Sequence, residues 1–197
     1  MLRVGPESAG ADPGPACYGR GGNRPAITDA HMLRGTIRAE TFLGGKMSVD
    51  VSASSRAFEA LSEKFHLSLE EMADSAVRVA DANIVGAIQL VSTERGRDPR
   101  DYVLVPFGGA GPLHAARVAE ELGIRTILIP PNAGVLSAYG LLASDFLQYE
   151  TRTRRIPLGV DAPGIVREVF GQLRDQATTS FQNLGVKGKL HFAHSLD

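Results

Sequence analysis

Val105-Pro106-Phe107-Gly108-Gly109-Ala110-Gly111-Pro112-Leu113-His114-Ala115 sets three glycines between a short apolar run and a helical pattern. The run, residues 102–106, reads as a strand, and residues 112–122 read as a helix with Pro112 in its first turn and Gly123 as its stop. Glycines at such a junction let the backbone approach a ligand closely, because no Cβ intervenes. The helix that follows directs unpaired N–H groups and a positive dipole end toward the same place, which suits a nucleotide or another anion. Purely structural glycine turns are as common in α/β folds, so the pattern alone leaves both readings open. It is not a phosphate loop, since no Gly-Lys-Ser/Thr follows, and it is not the Gly-x-Gly-x-x-Gly dinucleotide fingerprint.

Downstream, residues 125–129 are apolar and β-branched, residues 130–134 turn, and residues 135–144 suit a helix. Residues 146–156 then read as a more polar strand, 163–184 as a helix and 189–193 as the start of another strand. Strands alternating with helices predict an α/β layer with a mixed, partly parallel sheet. Upstream, residues 52–65 read as a helix, and a second opens at Ser68 with Glu71 three positions on, the signature of a capping box. Its apolar positions Leu69, Ala73, Ala76, Ala80, Ala87 and Val91 recur at helical steps, and Val77, Ile84 and Ile88 widen the stripe, so a long and mostly buried helix is expected, ending near Gly96 with Pro99 just beyond. Residues 1–30 are dense in Gly and Pro, which forbids regular helix; the interleaved Ala9, Ala11, Ala16, Cys17 and Tyr18 favour an ordered loop over a linker.

The chain has 197 residues, 43% of them hydrophobic, enough to bury a core. Its net charge of -1, with no basic block, argues against nucleic acid as a partner. No apolar run is long enough to span a bilayer and the amino terminus carries no signal pattern, so the cytoplasm is the default location. One cysteine, Cys17, excludes an internal disulfide.

Among single residues, His114 in the first turn after the glycines reads as a cap, a packing residue or a ligand contact. Asp29 reads first as a helix cap and second as a metal or loop-ordering carboxylate. Cys17, with no Cys-x-x-Cys and no nearby His, reads as a buried small residue before a nucleophile. His31, His66, His191 and His194 show no metal spacing, so no metal site is expected. Asn83, midway along the long helix, is expected to find a partner in the core.

Several ordered motifs carry a resemblance. Gly5-Pro6-Glu7-Ser8-Ala9-Gly10-Ala11-Asp12-Pro13-Gly14-Pro15-Ala16-Cys17-Tyr18-Gly19-Arg20-Gly21-Gly22, then Thr28-Asp29-Ala30, Phe42-Leu43-Gly44-Gly45, Glu94-Arg95-Gly96-Arg97-Asp98-Pro99-Arg100 and the glycine turn together resemble the hydantoinase A/5-oxoprolinase family. The resemblance implies the carboxyl-side part of an actin-like (ribonuclease H-like) ATPase domain, related to hexokinases and sugar kinases. It divides the chain into a Gly/Pro-rich segment at 1–50, a helical and nucleotide-binding segment at 51–145 and a carboxyl-side α/β segment at 146–197.

The same resemblance assigns the adenosine side of an ATP site, with magnesium, to Gly108, Gly109, Ala110, Gly111, Pro112 and His114. The helix around Ser137-Ala138-Tyr139-Gly140-Leu141-Leu142-Ala143 becomes the lobe connection. It implies an ATP-dependent cyclic-amide hydrolase that activates a carbonyl by phosphorylation. A ketone carboxylase subunit, a non-catalytic assembly subunit and a truncated reading frame are the alternatives. The implied partners are an adenine nucleotide, a hydantoinase B-type subunit or domain, and an amino-terminal lobe that the chain lacks. No Asp-x-Gly turn followed by Thr or Ser precedes Gly108, so the phosphate-gripping half of the family's site is not in this chain. Isolated turnover should then be negligible, because phosphoryl transfer depends on positioning and charge at the γ-phosphate. The terminal Ser195-Leu196-Asp197 resembles a family segment broken off partway.

Overall fold

The computed structural model describes residues 1–196; Asp197, the end of the terminal segment just named, lies outside them. The chain divides into two compact units, Met1–Gly140 and Leu141–Asp197.

The first unit is built on three helices, α1 (Ile27–Leu33), α2 (Val51–Phe65) and α3 (Leu69–Val91), followed by α4 (Gly111–Leu122). Each start has a chemical cause. Asp50 caps α2, its Oδ1 accepting from the N–H groups of Ser52 at 2.9 Å and Ala53 at 3.2 Å. The capping box of α3 forms as the spacing predicts: Ser68 Oγ accepts from Glu71 N at 3.2 Å, and Glu71 Oε2 accepts from Ser68 N at 2.9 Å. α4 stops at Gly123, whose φ of 68° is the left-handed turn a helix end requires.

Two apolar clusters share α3. Its amino-terminal half places Met72, Ala73, Ala76 and Val77 against Ala30 of α1 and Phe58 of α2. Its carboxyl-terminal half offers Ile84, Val85 and Ile88 to Val118, Ala119 and Leu122 of α4 and to Ile124. The stripe therefore changes partner near Asp81. Ala87 and Val91, read as buried, are exposed, as is Asn83, whose amide donates to the Val4 carbonyl at 3.2 Å. α3 also ends five residues before Gly96; a separate short turn, Thr93–Arg95, reaches that glycine.

Residues 1–26 form an ordered loop, whereas residues 27–30, expected to be free of regular helix, open α1. Ala16 and Cys17 are buried within a short helical turn, Ala16–Tyr18. A Cβ at Gly22 would collide with the Gly14 carbonyl, so the loop folds closely on itself.

The expected mixed sheet of an actin-like lobe is not found among the described residues. Segments 102–106 and 125–129 meet in a single parallel bridge, Leu104 with Ile127. Leu104 N donates to Thr126 O at 3.0 Å and Leu128 N to Leu104 O at 2.9 Å. Two extended segments without a third strand are too few for an independently stable sheet, and Pro106 ends the first of them. Val103, Val105, Leu128 and Ile129 are accordingly exposed. Residues 146–156 and 189–193, also read as strands, carry no strand structure. The fold is helical.

The last helix of the first unit, α5 (Leu136–Ala143), contains the division at Gly140. The second unit consists of α6 (Ala162–Asn183) and the irregular segments on either side of it. No helix among the described residues is long and apolar enough to cross a membrane.

Candidate functional site

The turn from Phe107 to Leu113 leaves the buried Pro106 and opens α4. Gly108 adopts a φ of 84°, which an L side chain rarely takes, and its N–H donates to the Ala133 carbonyl at 2.9 Å. That bond fixes the turn against the loop that leads into α5. A Cβ built at Gly108 or Gly109 would meet nothing within 4 Å, so the outer side of the turn is open. Gly111 differs, with its would-be Cβ 3.7 Å from the Pro106 backbone. No side chain caps α4; within its first turn Pro112 carries no N–H and Leu113 N donates to the Ala110 carbonyl at 3.0 Å. Gly109 and Ala110 are exposed, and Gly108, Gly111 and Pro112 are half-buried.

His114 faces the interior. It is 7% exposed, and its Nδ1 lies 2.6 Å from Asp81 Oδ1 on α3. With the carboxylate accepting, Nδ1 carries the hydrogen. Asp81 Oδ2 lies 3.6 Å from Arg117 Nη1, Arg117 Nη2 is 3.2 Å from Asp74 Oδ1, and Arg34 Nη2 is 3.1 Å from that same oxygen. The result is a chain of alternating charge linking α1, α3 and α4. His31 closes it: its ring meets the His114 ring edge to face, with centroids 5.0 Å apart. His31 is 1% exposed and neither of its ring nitrogens has a partner. Burial above all, then the neighbouring His114 and Arg34, pushes its imidazole down to about 4 against an opposing pull from Asp81.

A second buried carboxylate holds the Gly/Pro loop. Asp29 Oδ1 accepts from Cys17 N and Ser54 Oγ, each at 2.8 Å, and Oδ2 accepts from Ala16 N at 3.1 Å and Ala26 N at 2.9 Å. Four donors occupy the carboxylate, one of them capping α1 and two ordering the loop. Burial, helped by the Asp29 carboxylate, pushes the Cys17 thiol up to about 12, which removes thiolate chemistry near neutral pH.

The structure thus brings Gly108 to Pro112 together on the surface, with His114 behind them and Asp29 and Cys17 in a separate cluster. His66, His191 and His194 are exposed. Among the described residues no three His, Cys, Asp or Glu side chains are placed to hold a metal ion. No local spacing announces the Asp81 network, but one signal was available. Asp81 falls four and eight residues after Val77 and Ala73, on the buried face of α3, where a carboxylate requires a partner.

Residues 1–150 match the hydantoinase/oxoprolinase family model. The chain is 49% identical over 144 residues to an uncharacterized protein of Methanocaldococcus jannaschii, covering 73% of this chain and 21% of that one. It is 37% identical over 193 residues to the caprolactamase alpha subunit of Pseudomonas jessenii, covering 95% of this chain and 27% of that one. The nucleotide-free structure of acetone carboxylase, an enzyme of ATP-dependent acetone carboxylation, superposes with a TM-score of 0.69 at 30% identity, over 74% of this chain and 21% of that one. The chain therefore spans between 21% and 27% of the length of these relatives.

Proposed function

The chain belongs to the hydantoinase/oxoprolinase family, and from that premise we propose that it supplies the adenosine-side part of an ATP-dependent enzyme acting on a cyclic amide. The observation that carries the reading is the open outer side of Gly108 and Gly109 at the uncapped start of α4. The bare α-carbons of Gly108 and Gly109 would let the nucleoside approach the backbone closely, while His114, held by Asp81 behind them, sets the first turn of α4.

The phosphates and magnesium do not fit residues of this chain. No Asp-x-Gly-Thr/Ser turn precedes Gly108, and the Asp29 carboxylate, in its buried cluster, already accepts four hydrogen bonds. Those groups belong to an amino-terminal lobe, and a hydantoinase B-type partner would complete the hydrolysis of the activated carbonyl. The match to a relative named as an alpha subunit supports a multi-subunit setting. The likeness to acetone carboxylase supports a second reading, in which the activated carbonyl belongs to a ketone and the outcome is carboxylation.

The test is titration of a fluorescent ADP analogue into the purified chain and into Gly109→Trp. A bulky ring at that open position should weaken binding about tenfold or more while leaving the helical circular dichroism intact. Equal affinity for both proteins would remove the turn from the site.

A further inference from the structure

The second unit contains a cleft of about 630 Å³, within the range that small organic ligands occupy. α6 supplies its apolar floor through Val169, Leu173 and Ala177, of which Val169 and Ala177 are buried. The segments on either side of α6 supply the rim.

Three guanidinium groups line this cleft, those of Arg152, Arg154 and Arg174, and none has a carboxylate partner among the described residues. The single acid on the lining among the described residues, Glu150, accepts a hydrogen bond from Gln148 at 3.1 Å. Two of the three arginines are already oriented. Arg174 lies 4.6 Å from the centroid of the Phe192 ring, and Arg152 donates to the Gln172 side chain, which in turn donates to Glu168 at 3.3 Å. The Phe170 and His194 rings stand 4.6 Å apart on the same lining.

Unpaired, oriented guanidiniums above an apolar floor match a ligand with an anionic head and an apolar body. The planar fork of arginine suits carboxylate and phosphate alike. We propose that this cleft binds a small organic anion, a carboxylate or phosphate ester carried on an aliphatic or aromatic body.

Calorimetric titration of the whole chain tests this with octanoate, phenyl phosphate, inorganic phosphate and octylamine. The expected result is saturable binding of octanoate, phenyl phosphate or both, the stronger of the two identifying the head group, with inorganic phosphate weaker and octylamine silent. Arg154→Ala and Arg174→Ala should each weaken binding about tenfold, the loss of one charge-assisted hydrogen bond. All three arginines are exposed, so these variants should keep the native helical signal. Gly109→Trp should leave the titration unchanged, which separates this site from the nucleotide reading. No saturable heat with either anion, or affinities indifferent to both arginine substitutions, would overturn the proposal.

Discussion

His114 and Asp81 meet at 2.6 Å with side chains 8% and 4% exposed, so one buried bond ties the first turn of α4 to the middle of α3. Removing either partner takes the hydrogen-bond partner from a side chain almost wholly closed to water. Asp81→Ala and His114→Ala should each destabilise the first unit by about 1 to 3 kcal/mol, the cost of leaving a buried hydrogen-bonding group without its partner. Urea unfolding followed by circular dichroism measures it, and the double variant should cost clearly less than the sum. Additive losses would mean that the two residues act separately.

His31 makes stability depend on acid. Its imidazole falls to about 4 in the fold from an ordinary 6.5, so between those values the unfolded chain binds the proton and the folded chain does not. Stability contributed by neutral His31 is complete above about pH 6.5 and is lost as pH falls toward 4, by about 3 kcal/mol over the window. His31→Leu, which fills the site without a titrating group, should flatten that slope in chemical-denaturation curves taken from pH 4.5 to 7. An unaltered slope would assign the acid sensitivity to another group.

Asp29→Ala should release the Gly/Pro loop, because four hydrogen bonds to one carboxylate vanish together. A loss of about 3 kcal/mol or more is expected. The site-specific readout is Cys17: buried with its thiol pushed up to about 12, it should resist alkylation at pH 8 in the native chain and react readily in the variant. Equal alkylation rates would show that the loop is held by something other than Asp29.

Ser68→Ala should cost about 1 kcal/mol, the value of a lost helix cap, with no effect on nucleotide or anion binding. Thermal unfolding checks the first part and the titrations above check the second.

What could be read in advance divides along a physical line. Helix periodicity and capping chemistry are local, so the Ser68 box, the Gly123 stop and the spans of α2, α4 and α6 were legible to within a residue or two. The glycine turn was legible for the same reason. Strands are not local: residues 102–106 and 125–129 have strand composition, yet a stable sheet needs a third strand, and among the described residues one bridge is all that forms. The charged network was also out of reach, since Arg34, Asp74, Asp81, His114 and Arg117 come from three helices whose docking no spacing rule gives. Ile84 and Ile88, read as widening the stripe, do face α4 together with Val85, whereas Ala87 and Val91 fall outside that contact and are exposed.

Because the two apolar clusters lean on opposite halves of the same 23-residue helix, neither can melt while the other keeps α3 intact. Everything from α1 to Ile124 should come apart in one concerted step, and a reporter near Phe58 should show the same midpoint as one near Val118.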